Sequence, residues 1–293
     1  MLKFSLELAV KCPVAELAPY LRELDGSGFY RVWVPDAPNS QWELWSAATL
    51  AVVSTSQTRV GVGVTSPFQR SPAVIAHAAA TLDHLSRGRI DLSLGRGIRP
   101  FLEHIGVPGA DVGVEEGIEI LRRLLRGERV TCKGEVFHFE DVQLPFGSLQ
   151  ERLPVLIAAM SERWMKVASS VADGIHTYSV NERLLQTARE WARRAQRPDF
   201  AIVTTVAYIE PKEARERWLD SIGSSQGLLS LMGVEPGRGS WEEVEESLTL
   251  SGEDDLRRKA ERLERLGVDE LMIAYRRPED LPVLGEWVNR LAF

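Results

Sequence analysis

Eight short β-rich segments recur along the 293-residue chain, most of them followed by a stretch with helical spacing. This alternation limits the fold more than any other feature. The strand-like segments are 3–9, 30–34, 59–64, 90–94, 154–159, 174–178, 200–208 and 269–275. PVLIAA at 154–159 is a continuous apolar run, which a strand buried on both faces requires. Helical spacing follows at 14–24, 42–53, 72–85, 115–125, 161–171, 180–195, 253–266 and 281–291, the third opened by Ser71 and Pro72 as cap and first helical residue. Strands alternating with helices imply a parallel sheet, doubly wound or closed. Eight units in a chain somewhat longer than the ~250 residues a barrel needs favour an α/β fold of the TIM (β/α)8 barrel type. The expectation is one domain over 1–293, with insertions at the C-terminal mouth. One is a hairpin within 130–150, centred on Gly134. The other is a lid over 210–250, containing GVEPGRGS.

Charge and composition exclude several classes. The net charge of −7 and the lack of a Lys/Arg cluster argue against a nucleic-acid partner. No apolar run reaches the ~20 residues that span a bilayer, and MLKFSLELAV reads as a first strand rather than a signal peptide. Cys12 and Cys132 lack CxxC spacing, which suits a reduced, cytoplasmic protein. The five histidines form no HxxxH or HxH pair, so no metal site is expected. GSSQG at 223–227 matches GxSxG by letter, with Ser225 in the nucleophile position. The charged helical pattern before it is not the buried strand that such an elbow needs. GVGV at 61–64 lies inside a strand, so it is no phosphate loop.

A barrel of this kind places its chemistry at the C-terminal ends of its strands. Glu7 and Asp36 are carboxylates at such ends. Burial would raise the pKa of Glu7 and suit it to handle a proton, although a structural acid paired with an arginine is equally consistent with the pattern. Trp42 and Trp45 can wall the pocket or belong to the core. Gly95-Arg96-Gly97 follows the fourth strand, where a guanidinium fork fits phosphate oxygens. Ala159-Met160-Ser161 leads into a helix whose start Ser161 can cap, and its amides can meet a phosphate. Ser251-Gly252 opens a similar helix, but Glu253, Asp254 and Asp255 would repel an anion there.

VGVGVTSPFQRSPAVIAHAAATLDHLSRGRIDLSLGRG (60–97) resembles the signature region of the luciferase-like monooxygenase superfamily. It is most similar to the branch that uses the deazaflavin coenzyme F420. KFSLEL (3–8), GFYRVWVPD (28–36), LPVLIAAMSERWMKVASSVADGI (153–175) and SGEDDLRRKAERLERLGVDELMI (251–273) follow in the same order. The resemblance implies a non-proline cis peptide between Gly63 and Val64, with Gly63, Val64 and Thr65 backing the flavin ring. Unaided, Gly61 and Gly63 would read as residues that let a barrel strand curve. The resemblance places Glu7 near the ring or substrate as a proton donor. It matches Asp36 to the Asp of an Asp-His motif, and places Arg96, Gly97, Ala159, Met160 and Ser161 on the cofactor side.

Two positions depart from the resemblance. Ala37 stands where the motif has His, and Ile98 stands where some deazaflavin enzymes carry an acid after the GxG. The leading expectation is an F420-dependent oxidoreductase that transfers a hydride between the deazaflavin C5 and a small organic substrate. The alternative is an FMN-dependent luciferase-like monooxygenase or flavin reductase, which Arg96 and Ile98 favour. A non-catalytic flavin-binding paralogue is the third reading. The resemblance also implies a homodimer.

Overall fold

The computed structural model describes residues 1–36, 41–97, 102, 106, 107, 111–223 and 241–291. Ala37, Ile98, His104, Ser225 and the GVEPGRGS segment lie outside the described residues. Strands β1 (Lys3–Glu7), β2 (Arg31–Val34), β3 (Arg59–Thr65), β4 (Ile90–Leu94), β7 (Val155–Ala158), β8 (Gly174–His176), β9 (Ala201–Tyr208) and β11 (Glu270–Ala274) pair in parallel. β1 pairs with both β2 and β11, and β9 with both β8 and β11, so the eight strands close. This is the TIM barrel expected from the sequence.

The connecting helices are α1 (Val14–Leu24), α2 (Leu44–Ser54), α3 (Pro72–Ser86), α4 (Asp111–Leu125), α5 (Glu162–Val171) and α6 (Glu182–Arg194). Helices α7 (Lys212–Gly223), α8 (Trp241–Leu248), α9 (Glu253–Leu266) and α10 (Leu281–Leu291) complete the described set. α2 starts two residues later than the spacing suggested. Glu43 is its cap, accepting from Ser46 N at 2.8 Å, so Trp42 precedes the helix. Ser71 occupies the cap position of α3, but its side chain makes no capping bond; Pro72 at the first position fits the helix start.

β5 (Val130–Lys133) and β6 (His138–Val142) pair antiparallel, between β4 and β7 in the chain. Phe137 of this hairpin stacks on Phe68, beyond the end of β3. Within 210–250, β10 (Thr249–Leu250) pairs with Ala207 and Tyr208 at the C-terminal end of β9, which attaches this excursion to the mouth. Ile222, Val244 and Leu248 pack together there against Trp218.

Candidate active site

Side-chain parity sorts the barrel interior into layers, since alternate residues of a strand face opposite sides. Phe4 and Leu6 join the core between sheet and helices, while Ser5 and Glu7 take the other face of β1. The base layer is ionic. Arg31 lies 3.2 Å from Asp91 and 3.1 Å from Glu270, and Arg59 lies 2.8 Å from Asp91. Trp33 Nε1 donates to Glu270 at 2.9 Å. A cleft of about 690 Å3 opens below this cluster, at the N-terminal end.

The middle layer is packed shut. Trp33, Leu156, Val203 and Met272 form one buried cluster, with Tyr178 against it. A Cβ on Gly61 would collide with the Trp33 indole, so Gly61 makes room for this ring. His176 is fully buried in the same layer, 5.0 Å from Trp33 by ring centroids, with Nδ1 3.2 Å from Ser93 Oγ. Burial, with the Arg31 charge below, pushes the imidazole down to about 3, so it stays neutral.

Above this floor the inward positions are small. Ala158 and Ala274 are partly exposed, and a Cβ on Gly95 would lie 2.9 Å from Val64 Cγ1. The partly exposed Glu7, Val64, Met160 and Tyr178 complete the strand-end layer. The Gly63–Val64 peptide is cis, at the expected bond, and the β3–β4 register shifts between Val62 and Thr65. Gly63 has φ +137°, and a Cβ there would collide with the Ser93 carbonyl oxygen.

The candidate carboxylates sit in different settings. Burial pushes the Glu7 carboxyl up to about 7, with Arg276 opposing. Glu7 makes no side-chain hydrogen bond or salt bridge among the described residues. Asp36 accepts a 2.6 Å hydrogen bond from Thr65 Oγ1, which ties the end of β3 to that of β2. Burial raises its carboxyl, while Thr65 and Arg70 lower it and Glu43 raises it.

The polar rim lies further out. Arg96 is exposed and Gly97, at φ +80°, is partly exposed. Ala159 is buried, and its N–H donates to the His176 carbonyl at 3.0 Å. Met160 Sδ accepts from Tyr178 N at 3.2 Å. Ser161 occupies the cap position of α5, but its exposed side chain makes no capping bond, contrary to a pure capping role. At the start of α9, by contrast, Asp255 accepts from Ser251 N and Oγ at 3.0 and 3.1 Å, and the buried Lys259 lies 2.7 Å from it. That helix start is therefore satisfied internally. Trp45 is buried beside a groove between α2 and α3 and belongs to the hydrophobic core.

From sequence, Tyr178 is expected only as one of the strand-end positions where chemistry sits, and His176 is expected in no site role. Their rings stack with centroids 5.2 Å apart and planes 7° apart. The signal available was parity, because HTY at 176–178 puts two rings on one strand face. Among the described residues no group of three His, Cys, Asp or Glu is placed to hold a metal.

Several known proteins are similar to this chain. The 5,10-methylenetetrahydromethanopterin reductase of Archaeoglobus fulgidus is 30% identical over 193 residues, covering 64% of this chain and 57% of the relative. The F420-dependent glucose-6-phosphate dehydrogenase of Amycolatopsis mediterranei is 28% identical over 204 residues, covering 62% and 60%. The chain thus spans less than two thirds of the length of these curated relatives. The solved coenzyme F420 dependent tetrahydromethanopterin reductase from Methanopyrus kandleri shares its fold, with a TM-score of 0.81 at 20% identity over 99% of both chains. Residues 5–273, from the first barrel strand to the last, match the luciferase-like monooxygenase family, and the chain belongs to that family.

Proposed function

We propose that this chain is an F420-dependent oxidoreductase acting on a small organic substrate. The observation that carries the reading is the Glu7 carboxyl. It is an acid held at about 7, without a partner among the described residues, at the edge of a mouth where Gly95, Ala158 and Ala274 leave room. A general acid works best with a pKa near the working pH. The F420-dependent relative named above favours the deazaflavin.

The residues present fit such a group. The small positions Gly95, Ala158 and Ala274 leave room above a closed floor for a flat ring, with Val64 partly exposed beside it. Gly63, Val64 and Thr65 would back the ring. Arg96, Gly97, Ala159, Met160 and Ser161 would hold the phosphate side, where the exposed guanidinium and the start of α5 suit an anion. When bound, the deazaflavin supplies hydride transfer at carbon. The chain itself binds and orients, excludes water from below and holds the proton. Glu7 gives or takes a proton at its carboxyl. Asp36, restrained by Thr65, is the second proton-handling carboxylate.

A second reading is an FMN-dependent luciferase-like monooxygenase or flavin reductase, which the exposed Arg96 and the family assignment favour. Ala37 and Ile98 favour a third, a flavin-binding paralogue without catalysis. Fluorescence-quenching titrations with F420 and with FMN separate them. F420 binding with turnover supports the first reading and preferential FMN binding the second. Binding without turnover leaves the paralogue, and no binding of either sinks all three.

The assembly proposed is a homodimer through α2 and α3. Both helices are apolar, and a groove of about 530 Å3 between them is lined by Trp45, Val74, His77, Leu82, Leu85 and uncharged neighbours. Val53, Val74 and Leu85 are more than half exposed. For a chain of net charge −7, a second copy meets no carboxylate in this groove.

A further inference from the structure

We infer that Tyr178 is a positioning residue for the proton of Glu7, its phenol facing the carboxyl across the barrel mouth. The inference rests on the proposed role of Glu7 as the proton-handling acid, and it deepens that role.

Placement is the first ground. Tyr178 lies two residues beyond the inward-facing His176 and packs against the floor cluster of Trp33, Leu156, Val203 and Met272. Glu7 ends β1 on the same inner face, level with Trp33 of β2 and Ala274 of β11. Both side chains are partly exposed at the strand-end layer.

The second ground is what each lacks. Neither the Tyr178 hydroxyl nor the Glu7 carboxyl has a hydrogen-bond partner among the described residues. Buried or half-buried polar groups are normally satisfied. Two that converge on one space are arranged to serve each other, or one small group held between them. The pair is electrostatically linked, since the Glu7 charge, after burial, holds the phenol above its ordinary value.

The third ground is rigidity. The Tyr178 ring stacks on His176, and its N–H donates to Met160 Sδ. His176 is anchored at Nδ1 by Ser93 and remains neutral, so the stack carries no competing charge. Among the described residues, Arg276 beyond β11 is the charged group that acts on Glu7, and Asp36 stands beyond β2. Arg276 favours the carboxylate, and Asp36 is engaged by Thr65. The phenol keeps its proton throughout. It donates toward the Glu7 carboxylate when that group has released its proton, and so lowers the proton affinity.

The test uses the full chain without cofactor, with 13C-carboxyl-labelled glutamate and 3-fluorotyrosine. The Glu7 and Tyr178 signals are assigned from Glu7→Gln and Tyr178→Phe. In the unsubstituted protein the Glu7 carboxyl is expected to titrate near 7. In Tyr178→Phe, which keeps the ring stack, its midpoint should rise by about one pH unit, the size of one hydrogen bond to a charged group. The Tyr178 fluorine signal should shift with pH at the Glu7 midpoint and become flat in Glu7→Gln. An unmoved Glu7 midpoint in Tyr178→Phe, or a fluorine shift that survives Glu7→Gln, overturns the inference. Because no cofactor is present, these results are independent of the F420 titration, so failure of the functional reading and failure of this pairing are told apart.

Discussion

Thr65 Oγ1 donates a 2.6 Å hydrogen bond to Asp36 Oδ2, so the ends of two adjacent barrel strands are joined by a hydroxyl and a half-buried carboxyl. Thr65→Val removes the donor and leaves the carboxylate with one fewer partner. It should cost about 1–2 kcal/mol at neutral pH. Asp36 is already raised by burial, and losing this bond raises it further. The cost should shrink as Asp36 is protonated at low pH. Urea denaturation of the variant at two pH values checks both points.

Glu7 and His176 should shape the pH dependence of stability in opposite senses. The folded Glu7 carboxyl, near 7, keeps its proton where the unfolded one, near 4.5, has lost it. Its contribution is therefore complete below 4.5 and is lost as pH rises toward 7. The folded His176 titrates near 3 and the unfolded one near 6.5, so its contribution is complete above 6.5 and is lost as pH falls toward 3. Glu7→Gln should remove the fall in stability between pH 5 and 7 and leave the acid-side loss. Chemical denaturation across pH 4–8 reads both slopes.

Gly63 and Gly26 both have positive φ, at +137° and +98°, but differ in surroundings. Nothing lies within 4 Å of a Cβ on Gly26, whereas one on Gly63 collides with the Ser93 carbonyl oxygen. Gly26→Ala should cost about 1 kcal/mol from backbone conformation alone. Gly63→Ala should cost more than about 3 kcal/mol, because a backbone atom must move. Melting temperatures of the two variants should rank them accordingly.

Arg31→Met should be strongly destabilising, by about 3–5 kcal/mol, because Asp91 and Glu270 stay buried with less compensation. Adding Glu270→Gln should recover part of the loss, since one of the stranded charges is removed. Denaturation midpoints of the single and double variants test this.

The apolar groove between α2 and α3 gives a prediction about assembly. Val74→Asp together with Leu85→Asp places charge where two copies would meet, and should convert a dimer to a monomer while the barrel stays folded. Light scattering and circular dichroism measure the two outcomes. A wild-type monomer would refute the proposed interface.

All eight barrel strands were legible because each is short and β-rich and is bounded by turn residues. The rest was hidden for physical reasons. Arg31, Arg59, Asp91 and Glu270 sit at the beginnings of four different strands. Their mutual pairing depends on closure of the sheet, which no local pattern records. Gly61 read as a residue that lets a strand curve, yet its neighbour is Trp33, 28 positions away in sequence. Ser161 and Ser71 were reasonable caps by residue type, but neither hydroxyl makes the bond. Glu7 was legible as a carboxylate at a strand end. That it has no partner among the described residues, which matters most for its chemistry, belongs to the folded arrangement.

The packed middle layer has a consequence for proton supply. Trp33, Leu156, Val203 and Met272 pack between the ionic base and the strand-end layer that holds Glu7, and His176 beside them stays uncharged. Glu7 is partly exposed and exchanges with bulk water from the mouth above. A molecule seated over the mouth covers Glu7 and Asp36 together, and the occupied site keeps the protons these two carboxyls hold until the molecule departs.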